Sequence, residues 1–150
     1  MLNPPSLKAR ALRCLARRDY SRAGLQRKLA PEASSEAELD ALLDELQRLG
    51  FLADARYAQQ RVVARAGRYG NERLQRELQQ QGVSTEIIAD ALSESGDEVL
   101  RCRQIWQKRF HAVPDSAESW AKQQRFLQYR GFSLATIRQV LRSLADEEVN

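Results

Sequence analysis

A spacing of 49 residues organises this chain of 150. RLQRELQQQGVSTEIIADAL, residues 73–92, laid over KQQRFLQYRGFSLATIRQVL, residues 122–141, gives eight identities in twenty positions: Gln75, Arg76, Leu78, Gln79, Gly82, Ser84, Ile88 and Leu92. One step of 49 the other way finds Leu25, Gln26, Arg27 and Leu29 in GLQRKL, with Ser35, Leu39 and Leu43 on the helix that follows. Leucine, glutamine and arginine are common in any amphipathic helix, so chance is the competing explanation. A single fixed offset and shared helix punctuation argue against it, because a period of this length is the signature of a tandem helical array.

The punctuation is clearest in QRFLQYRGFS, residues 124–133, where Phe126, Tyr129 and Phe132 surround Arg130 and a glycine. This stretch is either an aromatic-basic binding site or the end of one helix and the start of the next. For Gly131 and its neighbours the second reading is favoured. Gly131 supplies the positive φ that closes a helix, Ser133 caps the next one, and Phe132 and Ile137 form a hydrophobic staple. Val83, Ser84 and Ile88 repeat the device, Ser35 with Glu38 reads as a capping box, and Tyr20, Ser21 and Leu25 make a further staple.

Helical periodicity then gives a complete reading, and nothing alternates like a strand. Leu7, Ala11 and Cys14 or Leu15 face inward on a first helix, Leu25 and Leu29 on a second, and Leu39, Leu42, Leu43, Leu46 and Leu49 on a third closed by Gly50. Further helices are predicted at about 54–66, 71–81 and 84–95, then 97–110, 115–130 and 133–145, with a turn at Pro114. The expected fold is all-α, an elongated and curved array of three three-helix repeats spanning 1–52, 53–96 and 97–150. Units this small bury their apolar faces partly against one another, which disfavours an independent enzyme-sized core.

Other classes are excluded by what the chain lacks. No run approaches the roughly 20 apolar residues that span a bilayer, and MLNPPSLKAR has no apolar leader segment, so no membrane partner and a cytoplasmic location are expected. Cys14 and Cys102 lie far apart without metal spacing and read as buried free thiols. His111 is the single histidine and reads as a capping or partly buried residue, leaving no metal pair and no nucleophile with its base. The glycines are scattered singly, with no phosphate-cradling loop. A non-enzyme without cofactors is the expectation.

The net charge of +4 conceals a pattern. Residues 1–31 carry eight basic and one acidic residue, 32–54 one and seven, 55–82 six and two, 83–99 none and five, and 100–130 seven and two. The first two helices of each unit are therefore basic, and the third is acidic in the first two units. A stripe of spaced basic patches suits a long polyanion better than a small ligand. The candidates for partner or DNA contact are Arg17, Arg18, Arg22, Arg27, Lys28, Arg65, Arg68, Arg73, Arg76, Lys122, Arg125 and Arg130. Solvated faces with local ion pairs are the alternative for any one of them. Arg27, Arg76 and Arg125 each precede a core leucine by two residues, about 200° around the helix, and should point outward.

The glycine and isoleucine of residues 74–92 have helix-turn-helix spacing, but the would-be recognition helix carries Glu86, Asp90 and Glu94 and no Lys or Arg. Phosphates would repel it from the major groove. Contacts to nucleic-acid backbone or to another protein are the better use of the basic helices.

Four blocks in this order, RRDYSRAGLQRKL, GFLADARYAQQRV, RYGNERLQRELQQQGVS and RFLQYRGFS, together resemble the bacterial RecX family over nearly the whole chain. The resemblance implies tandem three-helix units and a regulator that binds the RecA recombinase filament. It implies inhibition of strand exchange and ATPase activity, in DNA repair and the SOS response. DNA, single- or double-stranded, would be met within the filament by a monomer. Groove occupation, subunit bridging and end capping all remain open as routes to inhibition. Two positions depart from the family pattern. Ser21, Arg22, Ala23, Gly24 and Leu25 stand where S-x-x-E-L is frequent, and Ala53 precedes Asp54 where paired aspartates are frequent. Gly24 costs the helix up to about 1 kcal/mol relative to alanine, and Asp54 is expected to cap the helix it begins. A general DNA-binding or architectural helical protein, or a scaffolding repeat kept soluble by its charges, are the other readings.

Overall fold

A computed structural model describes residues 3–150; Met1 and Leu2, part of the segment read above for a leader, lie outside it. The described residues form α-helices and one short 3-10 turn and no strands: α1 (Leu7–Arg17), α2 (Arg22–Leu29), α3 (Glu36–Arg48), α4 (Asp54–Arg65), α5 (Asn71–Gln80), α6 (Thr85–Ser93), α7 (Glu98–Arg109), α8 (Ala117–Tyr129) and α9 (Leu134–Val149). The 3-10 turn, Ala30–Glu32, follows α2 with Pro31 at its start.

Hydroxyl caps start most of these helices. Ser6, Ser21, Ser35, Ser84, Ser116 and Ser133 each accept a backbone N–H from the first turn of the helix that follows, satisfying a donor with no partner inside the helix. Gly82 at φ +75° and Gly131 at φ +100° close α5 and α8. Phe132 and Ile137 are fully buried beside the Ser133 cap, the staple expected from their spacing.

Local details differ from the sequence reading for identifiable reasons. Glu38 reaches back to the Ser34 N–H rather than that of Ser35, so the box is displaced by one residue. Helix α8 starts at Ala117, not Asp115, because Ser116 and Ser119 cap each other's backbone. Leu49 is half exposed, since α3 ends at Arg48 and the chain turns away at Gly50. His111 is exposed, after the end of α7. Cys102 is fully buried and Cys14 only partly; burial pushes the Cys102 thiol up to about 12.

Each helix packs chiefly within its own group of three. Leu25, Leu29, Leu39, Leu43, Leu46 and Leu52 centre the first core. Tyr57, Val62, Leu74, Leu78 and Ile88 centre the second, and Trp106, Leu127, Phe132, Ile137 and Leu141 the third. Gln123 occupies the place in the repeat that Leu74 holds one unit earlier, and it is buried there. The Trp106 indole donates to its Oε1 at 2.7 Å and its amide donates to the Ala112 carbonyl at 3.1 Å, so the polar group is satisfied in a core.

The units join by one recurring geometry. The start of each unit's second helix abuts the turn that ends the second helix of the next unit. At the first junction the Ser21 hydroxyl donates to the Gln81 carbonyl at 2.6 Å. At the second, the Gly70 N–H donates to the Arg130 carbonyl at 2.8 Å and the Glu72 N–H to that of Gly131 at 3.1 Å. A Cβ on Gly82 would lie 2.4 Å from that of Ala23, and one on Gly131 2.3 Å from that of Arg73. The glycines thus serve both the helix ends and the close approach of the neighbouring unit.

A carboxylate tie accompanies each junction. Asp54 does not cap the helix it begins; its carboxylate accepts the Arg22 N–H at the start of α2, at 2.8 Å. Glu98 accepts the equivalent Asn71 N–H at 3.2 Å. The acid at the head of one unit therefore caps the second helix of the unit before it, where the helix dipole favours negative charge.

Candidate nucleic-acid and partner interface

The basic candidates divide into residues held within the protein and residues free of carboxylates. Arg22 is held: its guanidinium pairs with Asp44 at 2.7 Å and also donates to Gln47. Arg65 forms a bidentate pair with Glu77, both bonds 2.7 Å, and lies 4.6 Å from the Tyr69 ring centroid. The Glu77 bond raises the Arg65 pKa further. Arg73 shares Glu77 at 3.4 Å, lies 4.1 Å from the Tyr69 ring centroid, and reaches the Tyr129 carbonyl at 3.5 Å. Burial pushes the Glu77 carboxyl up, but the bonds and charge of Arg65, then Arg73 and Arg61, outweigh it and hold the group below the ordinary glutamate range.

Arg27, Arg76 and Arg125 are exposed, while Leu29, Leu78 and Leu127 behind them are buried. The three are nevertheless unequal. Arg27 donates to the Gln80 carbonyl and to the Gln81 side chain, each at 3.1 Å, so it clamps the first junction. Arg76 and Arg125 form no ion pair among the described residues. Arg17, Lys28, Arg68 and Lys122 are likewise exposed and unpaired, and Arg18 lies 3.9 Å over the Tyr20 ring. Arg130 sits where the second and third units meet, within 5.6 Å of the Tyr69 and 5.2 Å of the Phe126 ring centroids.

Arg101, which sequence reasoning passed over as one more basic residue, is buried in the second junction. Its guanidinium donates to the carbonyls of Ala66 at 3.1 Å and Tyr69 at 2.7 Å, to Asn71 Oδ1 at 2.8 Å and to Ser95 Oγ at 3.2 Å. Burial lowers its pKa, opposed by the charge of Glu98. The signal was available: position 101 lies one helical turn before Ile105, on the stripe that α7 buries. Among the described residues no His, Cys, Asp and Glu cluster has the makings of a metal site, and no helix is long and apolar enough to cross a membrane.

Known proteins share both the sequence and the architecture. The models of the second and third three-helix domains of RecX match residues 54–92 and 97–141. Regulatory protein RecX of Leptothrix cholodnii is 49% identical over 144 residues, covering 95% of this chain and 91% of that protein. The Chromobacterium violaceum protein of the same name is 44% identical over 143 residues, covering 95% and 93%. The crystal structure of RecX from Lactobacillus salivarius superposes with a TM-score of 0.81 at 20% identity, over 93% of this chain and 94% of that one. A second crystal structure of regulatory protein RecX gives 0.77 at 20% identity, over 89% and 70%. The fold is thus retained where sequence has diverged widely, and with close relatives matched nearly end to end, the chain belongs to the RecX family of regulatory proteins.

Proposed function

We propose that this protein is a non-enzymatic cytoplasmic regulator that binds the RecA–DNA filament as a monomer and inhibits its strand-exchange and ATPase activities, in DNA repair and the SOS response. No cofactor is needed. Beyond family membership, the observation that carries the reading is the exposure of Arg76 and Arg125 at equivalent places in successive units, with no carboxylate on either. A long, periodic, anionic partner meets such a surface repeatedly, and weak contacts joined in one chain act together through high effective concentration. Arg17, Arg18, Lys28, Arg68 and Lys122 are the other exposed candidates. Acidic third helices, with Glu86 and Asp90 exposed on α6 and Glu94 exposed at its end, are suited to basic protein patches rather than phosphate.

The test is binding of the full chain to DNA alone, recombinase alone and the assembled filament, with ATPase as the second readout. Arg76→Glu combined with Arg125→Glu should leave helicity and melting unchanged and weaken filament binding at least tenfold. A folded double variant that binds and inhibits at wild-type strength rules out this surface. Equal affinity for bare DNA and filament favours a general DNA-binding protein instead.

A further inference from the structure

A cleft of about 410 Å³ opens between the second and third units, and its charge is one-sided. Arg68 and Arg130 reach it from the ends of α4 and α8, and Lys108 and Arg109 from the end of α7; no carboxylate lines it. None of these four cations pairs with an acid among the described residues, in a chain with 20 acidic residues. The comparable hollow in the first unit differs, because Glu32 lines it and pairs with Arg10 at 2.6 Å. Clustered like charges repel unless an anion joins them, so the junction cleft, lined by cations with no carboxylate, has anion-binding capacity left over.

Its walls are aromatic as well as cationic. The Arg109 and Arg130 guanidinium carbons lie 5.6 and 5.2 Å from the Phe126 ring centroid, and Arg130 is also 5.6 Å from that of Tyr69. Phe126 is held edge-to-face against Phe110 at 5.3 Å. Planar guanidinium groups and aromatic rings are what unpaired bases stack on, while cations at the rim take the phosphates. The cleft is also held in shape: the Gly70–Arg130 backbone bond and the four bonds of Arg101 fix the two units that form it.

We propose that this cleft binds single-stranded nucleic acid, taking a phosphodiester on Arg68, Lys108 and Arg109 and an unpaired base against Phe126 and Arg130. A duplex can offer phosphates to the rim, but its bases are stacked and cannot enter. The inference rests on the nucleic-acid half of the reading above and needs no recombinase. It adds Lys108, Arg109 and Phe126 to the contact residues and gives the junction a task separate from the Arg76–Arg125 surface.

Fluorescence anisotropy of the full chain with labelled oligothymidylate and with a hairpin duplex tests it. Lys108 and Arg109 are exposed, so Lys108→Glu with Arg109→Glu should fold normally. Oligothymidylate binding should fall at least tenfold, duplex binding should fall much less, and the salt dependence should flatten by about 0.7 in log-log slope for each phosphate the variant no longer holds. Photocrosslinking with 5-iodouracil in the oligonucleotide should label the peptide carrying Phe126 or Tyr69. Wild-type oligothymidylate affinity in the charge-reversed variant overturns the proposal. So does equal loss for strand and duplex, or a crosslink found only outside the cleft. Should Arg76→Glu with Arg125→Glu abolish strand binding while the cleft variant keeps it, the cleft fails and the filament reading stands. A wild-type protein that holds the filament but no free strand defeats the cleft alone.

Discussion

At the first junction the Ser21 hydroxyl reaches the Gln81 carbonyl, whereas at the same place in the second Gly70 offers its backbone N–H to Arg130. The difference continues through both contacts. Arg27 bridges the first from an exposed position, and Tyr57 occupies the place in α4 that Arg101 holds in α7, each three residues beyond its acidic helix start. The first junction thus rests on side-chain bonds, from buried Ser21, part-buried Asp54 and exposed Arg27, and the second on backbone pairs and a buried guanidinium. Exposed side-chain bonds compete with water and contribute little, while buried ones are costly to leave unmade. The second and third units should therefore behave as one body, with the first unit hinged upon it. On a periodic partner of the kind proposed above, a stiff pair and one adjustable unit would permit alignment without loss of the junction cleft.

The largest expected effect comes from the glycines. Gly131→Val forces a branched residue to φ +100° and drives its Cβ onto Arg73, whose backbone N is 3.0 Å from that point. Strain and overpacking together should cost about 4 kcal/mol. Gly82→Val meets only the Ala23 methyl closely, with its Cα at 3.9 Å, so the first junction can open by a small shift, and about 2 kcal/mol is expected. Urea unfolding monitored by circular dichroism measures both. Equal losses would remove the contrast between a stiff junction and a yielding one.

Arg101→Met comes next. It keeps an apolar stem but leaves the Ala66 and Tyr69 carbonyls and the Asn71 and Ser95 oxygens without their donor. A loss of about 3 kcal/mol is expected. Native-state hydrogen exchange should show α5 and α8 opening together in the wild type and separately in the variant. Persistent joint opening would mean that the backbone pairs alone make the second junction rigid.

What was legible in the sequence was whatever is local. Ser84 and Ser133, Gly82 and Gly131, and the staples beside them are decided by residues within one turn of each other, so the repeat and its helices could be read from one chain. The joints were not legible, because they depend on which surface of one unit meets which turn of the next. Asp54 has the chemistry of a cap and is one, but for α2 across the joint. Arg101 and Arg76 are the same residue type in similar basic segments; only burial separates a structural tie from a surface charge. The stretch around Arg130 holds both helix punctuation and part of the lining of the cleft proposed above as a binding site. Gly131 and Phe132 end and begin helices, while Phe126 and Arg130 line the cleft.

The smallest effect is the most discriminating between the junctions and the contact surface. Arg27 and Arg76 hold the same place in the repeat and both are exposed, so a uniform basic stripe predicts that removing either has the same consequence. The bonds to Gln80 and Gln81 predict otherwise. Arg27→Ala should lower stability by about 0.5–1 kcal/mol, the range of exposed hydrogen bonds, and speed exchange at the start of α2, whereas Arg76→Ala should leave both unchanged. In filament binding the order should reverse. Arg76→Ala removes a free cation and should flatten the salt dependence by about 0.7–0.9 in log-log slope if it meets one phosphate. Arg27→Ala, whose guanidinium is already engaged, should change the slope less. Should Arg27→Ala leave stability and exchange untouched while flattening the slope as much as Arg76→Ala, the clamp is incidental, Arg27 belongs to the contact surface, and the hinge must be sought in Ser21 and Asp54.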